Sequence, residues 1–121
     1  MATYEKKKLS GSSQGQLISL TNAFPMTIHT TGSSSTILDE VWLWAKNTDA
    51  AEQTVVINFS VYAGEVEGGI IRLLLPPNSI TSILQGQIVS GDGSSGLIIS
   101  GESPVWTGYI SVYGFVNRIT P

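Results

Sequence analysis

This chain has one histidine and no cysteine, so the residues able to do chemistry are few. His29 lies in the run Met26-Thr27-Ile28-His29-Thr30, with no Asp, Cys or Ser at a recognised catalytic or ligating offset. One imidazole does not build a zinc site of the usual composition, and a structural or surface histidine is the simpler expectation. Asp39-Glu40 is a pair of adjacent carboxylates. Paired acids can serve glycoside hydrolysis, in which two carboxyls flank the scissile bond. Neighbours on a strand point to opposite faces, so these two do not converge; a solvated strand end, or a partner for a lysine-bearing segment, is expected instead. The loop Gly91-Asp92-Gly93-Ser94-Ser95-Gly96 lacks the Gly-Lys-Ser/Thr ending of a phosphate loop and has no helix behind it. It also offers too few acidic oxygens for calcium. No nucleophile and base can be paired, so the expectation is no enzyme and no catalytic, metal or cofactor site.

Aromatic side chains are the remaining candidates: Trp42, Trp44, Trp106, Tyr109 and Tyr113. Such a set can stack on sugars or bases, fill a sandwich core, or form a subunit contact. The sequence favours core or subunit contact.

The elements that position these residues read as short strands. Residues 16–21, 26–30, 37–46, 54–63, 70–75, 79–84, 87–90, 97–100 and 105–119 form apolar runs separated by Gly, Ser, Asn and Pro. In the third run Val41, Leu43 and Ala45 point one way and Trp42, Trp44 and Lys46 the other. Both sets are largely apolar, so at least one must meet another sheet or another chain. In the fourth, Val55, Ile57, Phe59 and Val61 are expected inward, with Thr54, Val56, Asn58, Ser60 and Tyr62 outward. In the last, Val105, Tyr109, Ser111, Tyr113 and Phe115 share one face, and Trp106, Gly108, Ile110, Val112, Gly114, Val116 and Arg118 the other. No amphipathic helical pattern of ten residues or more occurs. Many short strands at roughly ten-residue spacing predict an all-β fold, a single β-sandwich of which the jelly roll is one form, with strand order left open.

Composition bounds the function. Only 12% of the 121 residues are charged, about half the usual share. From Gln53 onward the charges are Glu65, Glu67, Arg72, Asp92, Glu102 and Arg118 alone. Polar uncharged groups must cover the surface, as befits a subunit packed against other protein. A net charge of −3 gives nucleic acid no general footprint, and no run approaches the roughly 18 apolar residues of a membrane helix. Lys6, Lys7 and Lys8 are followed by Ser- and Gly-rich sequence rather than the apolar core of a secretory leader. Residues 1–15 therefore read as a flexible basic arm on a domain of residues 16–121. Lys6, Lys7, Lys8 and Leu9 are expected to anchor it to an acidic neighbour.

Four segments carry a family resemblance. Lys7-Lys8-Leu9-Ser10-Gly11-Ser12-Ser13, Thr27-Ile28-His29-Thr30, Leu38-Asp39-Glu40-Val41-Trp42-Leu43-Trp44-Ala45-Lys46-Asn47 and Tyr113-Gly114-Phe115-Val116-Asn117-Arg118-Ile119 resemble, in order, a family of small tailed-phage virion proteins. None is a catalytic motif. The resemblance implies a capsid cement or decoration protein: a β-rich, homo-oligomeric subunit (dimer or trimer) docking on the outside of a shell of major capsid protein, assembled in the host cytoplasm. The alternative is a carbohydrate-binding adhesion module of a tail or fibre, which requires exposed tryptophans beside polar groups. A non-viral interaction subunit is a third reading.

Overall fold

Alternation with a period of two residues becomes strand throughout the computed structural model, which describes residues 2–22, 25–60, 69–103 and 109–121. Among the described residues nine strands form: β1 (Thr3–Lys8), β2 (Ile18–Leu20), β3 (Met26–Thr30), β4 (Leu38–Asn47), β5 (Gln53–Ser60), β6 (Ile70–Leu75), β7 (Ser79–Val89), β8 (Ile98–Glu102) and β9 (Ile110–Thr120). Among the described residues there is no helix, and so none long and apolar enough to cross a membrane.

The strands pair into two antiparallel sheets. The first has the order β1-β9-β4-β7, with β2 pairing β9 beside β1; the second has the order β3-β8-β5-β6. From β2 onward each connection changes sheet, except the β5–β6 hairpin. This is jelly-roll winding. The expected sandwich is what the chain builds, and the strand order left open by the sequence is now fixed.

The inner faces make one core. Val41, Leu43 and Ala45 of β4, Ile110, Val112 and Val116 of β9, and Leu84 and Val89 of β7 meet Ile28, Val55, Ile57, Leu75 and Ile99 of the second sheet. Each Val, Leu or Ile among them contributes about 1.5–3 kcal/mol on full burial. With no disulfide available, this core and the backbone ladders hold the fold.

Several expectations need correction. The described part of the expected flexible arm, residues 2–15, is built into the sandwich. Thr3–Lys8 pairs along β9 from Thr120 to Phe115, and Leu9, expected to be an anchor, is 2% exposed inside the core. Lysines on an outer strand discourage pairing with other chains, and the same lysines without apolar alternation resemble a solvated tail in sequence. After Leu9 the chain crosses the outer edge of β3, where the Gly11 N–H donates to the Ile28 carbonyl at 2.9 Å. A Cβ at Gly11 would overlap the Thr27 and Ile28 carbonyl oxygens, so only glycine lets the two backbones come this close.

The segments 79–84 and 87–90 are one strand. Gly86, at φ 78°, is an extra residue between Gln85 opposite Trp42 and Gln87 opposite Val41, a bulge rather than a break. In β5, Val56, Asn58 and Ser60 are buried although they point away from the core. Alternation gives a side chain's direction, not what lies above it. Val61, Tyr62, Val105, Trp106 and Gly108 lie outside the described residues.

Candidate functional site

The outer face of the first sheet holds the aromatic residues. The β4–β9 register sets Trp42 opposite Phe115 and Trp44 opposite Tyr113, and the two-residue step puts all four on one face. Their rings run in near-parallel planes. Trp42 and Phe115 are 6.1 Å apart at 12°, Trp44 and Tyr113 5.8 Å at 17°, and Trp42 and Trp44 6.5 Å at 21°. Each pair adds about 0.5–1.5 kcal/mol beyond its buried area. All four side chains are half-buried. They line the outside of the sandwich and leave the core to the aliphatic residues behind them.

A polar frame fixes this face. The Trp42 Nε1–H donates to Glu40 Oε1 at 2.8 Å, and Asn117 Nδ2 donates to the same oxygen at 3.1 Å. The bond from Trp42, then that from Asn117, hold the Glu40 carboxyl below its usual range. Lys6 lies opposite Asn117 on β1, with its ammonium 4.8 Å above the Phe115 ring, a cation–π contact. On the far flank, β7 sets Gln85 and Ser82 opposite the two tryptophans, with Ile80 and Ile88 exposed. Beyond Tyr113 the face ends in a groove of about 440 Å³ lined by Gly15, Gln16, Leu17, Lys46, Ile80 and Tyr113.

Charge is unevenly placed. Lys6 and Lys8 on β1 and Lys46 on β4 share this face by strand alternation, three of the four lysines in the chain. Glu40 is the one carboxylate among the residues placed on it. The face is thus positive on a chain whose net charge is −3.

A second constellation is buried on the inner side. His29 and Asp39 are each 1% exposed, and His29 Nε2 lies 2.8 Å from Asp39 Oδ2. Arg118 Nε and Nη2 donate to the two Asp39 oxygens at 2.8 and 3.0 Å. Burial pushes the Asp39 carboxyl up, but the bond from His29 and the bonds and charge of Arg118 outweigh it and hold it at about 2. The expected solvated strand end is therefore wrong for Asp39, whereas Glu40 does point the other way, as alternation requires. The Ser10 N–H donates to His29 Nδ1 at 3.1 Å. That nitrogen must carry the lone pair, so Nε2–H donates to Asp39 and the imidazole is neutral with both nitrogens engaged. Ser10 Oγ accepts from the Thr30 N–H at 2.6 Å and makes no bond to the ring. Ser, His and Asp meet here without the hydroxyl-to-imidazole contact of a nucleophilic triad. This cluster ties β3, β4 and β9 together.

Of the residues named from sequence, Trp42, Trp44, Tyr113, Lys6 and Lys8 come together on the outer face. Lys7 points to the other side of β1 and pairs with Glu5 at 3.1 Å. Leu9 is in the core. Tyr109, 38% exposed, lies before β9, where its carbonyl accepts from Thr48, and takes no part in the stack. Trp106 is outside the described residues. Sequence reasoning passed over Phe115, Glu40 and Asn117 as site residues, although the alternation that places Tyr113 also places Phe115. Among the described residues no cluster of three or more His, Cys, Asp or Glu could hold a metal ion. Comparison with protein-family models, with curated proteins and with solved structures gives no match.

Proposed function

We propose that the chain is a structural adhesion protein of a tailed-phage virion, of the capsid cement or decoration kind. It docks on a shell of major capsid protein through the outer face of its first sheet. The observation that supports this is the half-exposed stack of Trp42, Trp44, Tyr113 and Phe115, rimmed by Lys6, Lys8 and Lys46 on an otherwise acidic chain. Contiguous exposed apolar surface marks an interaction site, and aromatic residues at the centre of an interface dominate its energy. The lysines select an acidic partner surface and speed encounter. They act from a folded strand, so positioning them costs little on binding. Jelly rolls occur in capsid and lectin domains alike, so the fold favours neither; the four resembling segments favour the virion. The test is occupancy of purified capsids by Trp44→Ser, which is expected to fall at least about tenfold, the 1.4 kcal/mol of a modest hot spot. Unchanged occupancy contradicts the docking face.

One observation favours a second reading, glycan binding on the same face. Glu40 is oriented by Trp42 and Asn117 directly beside the rings, and a sugar offers both an apolar ring face and hydroxyls to such a set. Tryptophan fluorescence titrated with host glycans separates the two readings: a saturable change supports the glycan, and a flat response removes it.

A further inference from the structure

The chain between β1 and β2 leaves the first sheet and returns to it. Both strands pair with β9, yet residues 9–11 cross to the second sheet and lie along the outer edge of β3. Leu9 enters the core. The Gly11 N–H donates to the Ile28 carbonyl at 2.9 Å, and the Thr30 N–H donates to Ser10 Oγ at 2.6 Å. A turn closes the detour: the Ser12 N–H donates to the Leu9 carbonyl at 3.0 Å, and Ser12 Oγ donates to the Gln16 carbonyl at 2.6 Å. This strap covers a sheet edge that would otherwise present unpaired backbone groups.

One contact of the strap differs from the others. The Ser10 N–H donates to a side chain that can titrate, at His29 Nδ1, 3.1 Å away. The ring is 1% exposed. Its Nε2 meets Asp39 Oδ2 at 2.8 Å, so Nδ1 is the nitrogen left to take up a proton, and the Ser10 N–H already points there. A protonated imidazole carries N–H on both nitrogens. Two donors would then face each other at Nδ1, and the bond to Ser10 is lost. The cation so formed is paired at once with the Asp39 carboxylate at Nε2. The surrounding elements offer Nδ1 no other ionisable partner. Arg118 of β9 is bound to Asp39, with Glu5 of β1 opposite it. β8 sets Ile99 opposite His29. Lys8 donates to the Ser13 carbonyl at 2.8 Å, and residues 9–17 and 30–37 carry no ionisable side chain.

We propose that His29 is a proton-operated latch for this strap. With the ring neutral, residues 9–13 lie closed on β3. A proton taken onto the Nδ1 lone pair displaces the Ser10 N–H, the strap lifts, and the β3 edge opens. The movement is local, because Lys8 on one side and Ile18 on the other stay paired to β9. The latch shares no residue with the aromatic face, so it stands whatever that face docks on.

The experiment is NMR of the purified full chain between about pH 8 and 5, a range that brackets the ordinary histidine value and lies above the loss of the Asp39 charge. Ring-nitrogen shifts report the state of His29, and amide exchange, corrected for its intrinsic pH dependence, reports the strap. Protection of the Ser10 and Gly11 amides is expected to fall at least about tenfold across the range, no more steeply than the tenfold per pH unit that one proton allows. The Val55 and Ile57 amides of β5 keep theirs. His29→Gln has no titratable ring, so its Ser10 and Gly11 protection should not change with pH. Where that variant does not fold, the one-proton slope and the ring nitrogens of wild type decide. Flat Ser10 and Gly11 protection in wild type, whether or not Nδ1 becomes protonated, overturns the proposal. So does a fall shared by Val55 and Ile57, or an equal fall in His29→Gln.

Discussion

The two sides of β4 answer the same problem differently. Its inner side presents Asp39, Val41, Leu43 and Ala45, each nearly or fully buried, and the single charge there is met by His29 and Arg118. Its outer side presents Glu40, Trp42, Trp44 and Lys46, of which the first three are half-buried and the lysine exposed. The inner side is finished within the chain. The outer side has larger rings, ordered polar groups and a surplus of positive charge, but it still faces solvent. Completed contacts serve stability, and the ordered but uncovered ones are where the proposed partner would dock.

Substitutions should separate these roles, beginning with the largest effect. Arg118→Ala leaves Asp39 buried with half its partners and should cost about 3–5 kcal/mol. The urea midpoint should fall sharply, while capsid binding by the folded fraction is unchanged. Leu9→Ala empties part of the core beneath the start of the chain and should cost about 2–5 kcal/mol by the same measurement, a loss that a flexible arm would not show. Acid should act through Asp39. Its folded carboxyl sits at about 2, below the 3.8 of a free aspartate, so its stabilisation is complete above about pH 5, declines as pH falls through 3.8 and is lost as pH falls through 2. The difference is about 2 kcal/mol, read as a loss of urea stability between pH 5 and 2 that Asp39→Asn does not share. Trp44→Ser should cost about 1–3 kcal/mol through its stacks on Trp42 and Tyr113, less than Arg118→Ala, yet reduce docking most. If Trp44→Ser unfolds the protein as readily as Arg118→Ala does, the contrast between the two sides fails.

Much of this was legible in the sequence. The steps Val41-Leu43-Ala45 and Trp42-Trp44-Lys46 sort correctly into two sets because alternation is local. Which set faces inward was not legible, because both are apolar and the choice depends on the opposing sheet. The pairing of β4 with β9 joins residues as far apart as Leu38 and Ile119, and no local pattern encodes that. Asp39 meets Arg118 across 79 positions and His29 from the other sheet across 10, so no spacing rule announces the cluster. The charge run at Lys6–Lys8 suits both a loose tail and a protected edge strand; the complementary edge of β9 decides between them.

The most direct measurement of the central claim is a reconstruction of the intact particle with this protein in place. The account expects the outer face of the first sheet against the major capsid protein, with Trp42, Trp44, Tyr113 and Phe115 covered and Lys6, Lys8 and Lys46 beside acidic groups. A copy seated with that face toward solvent would contradict it.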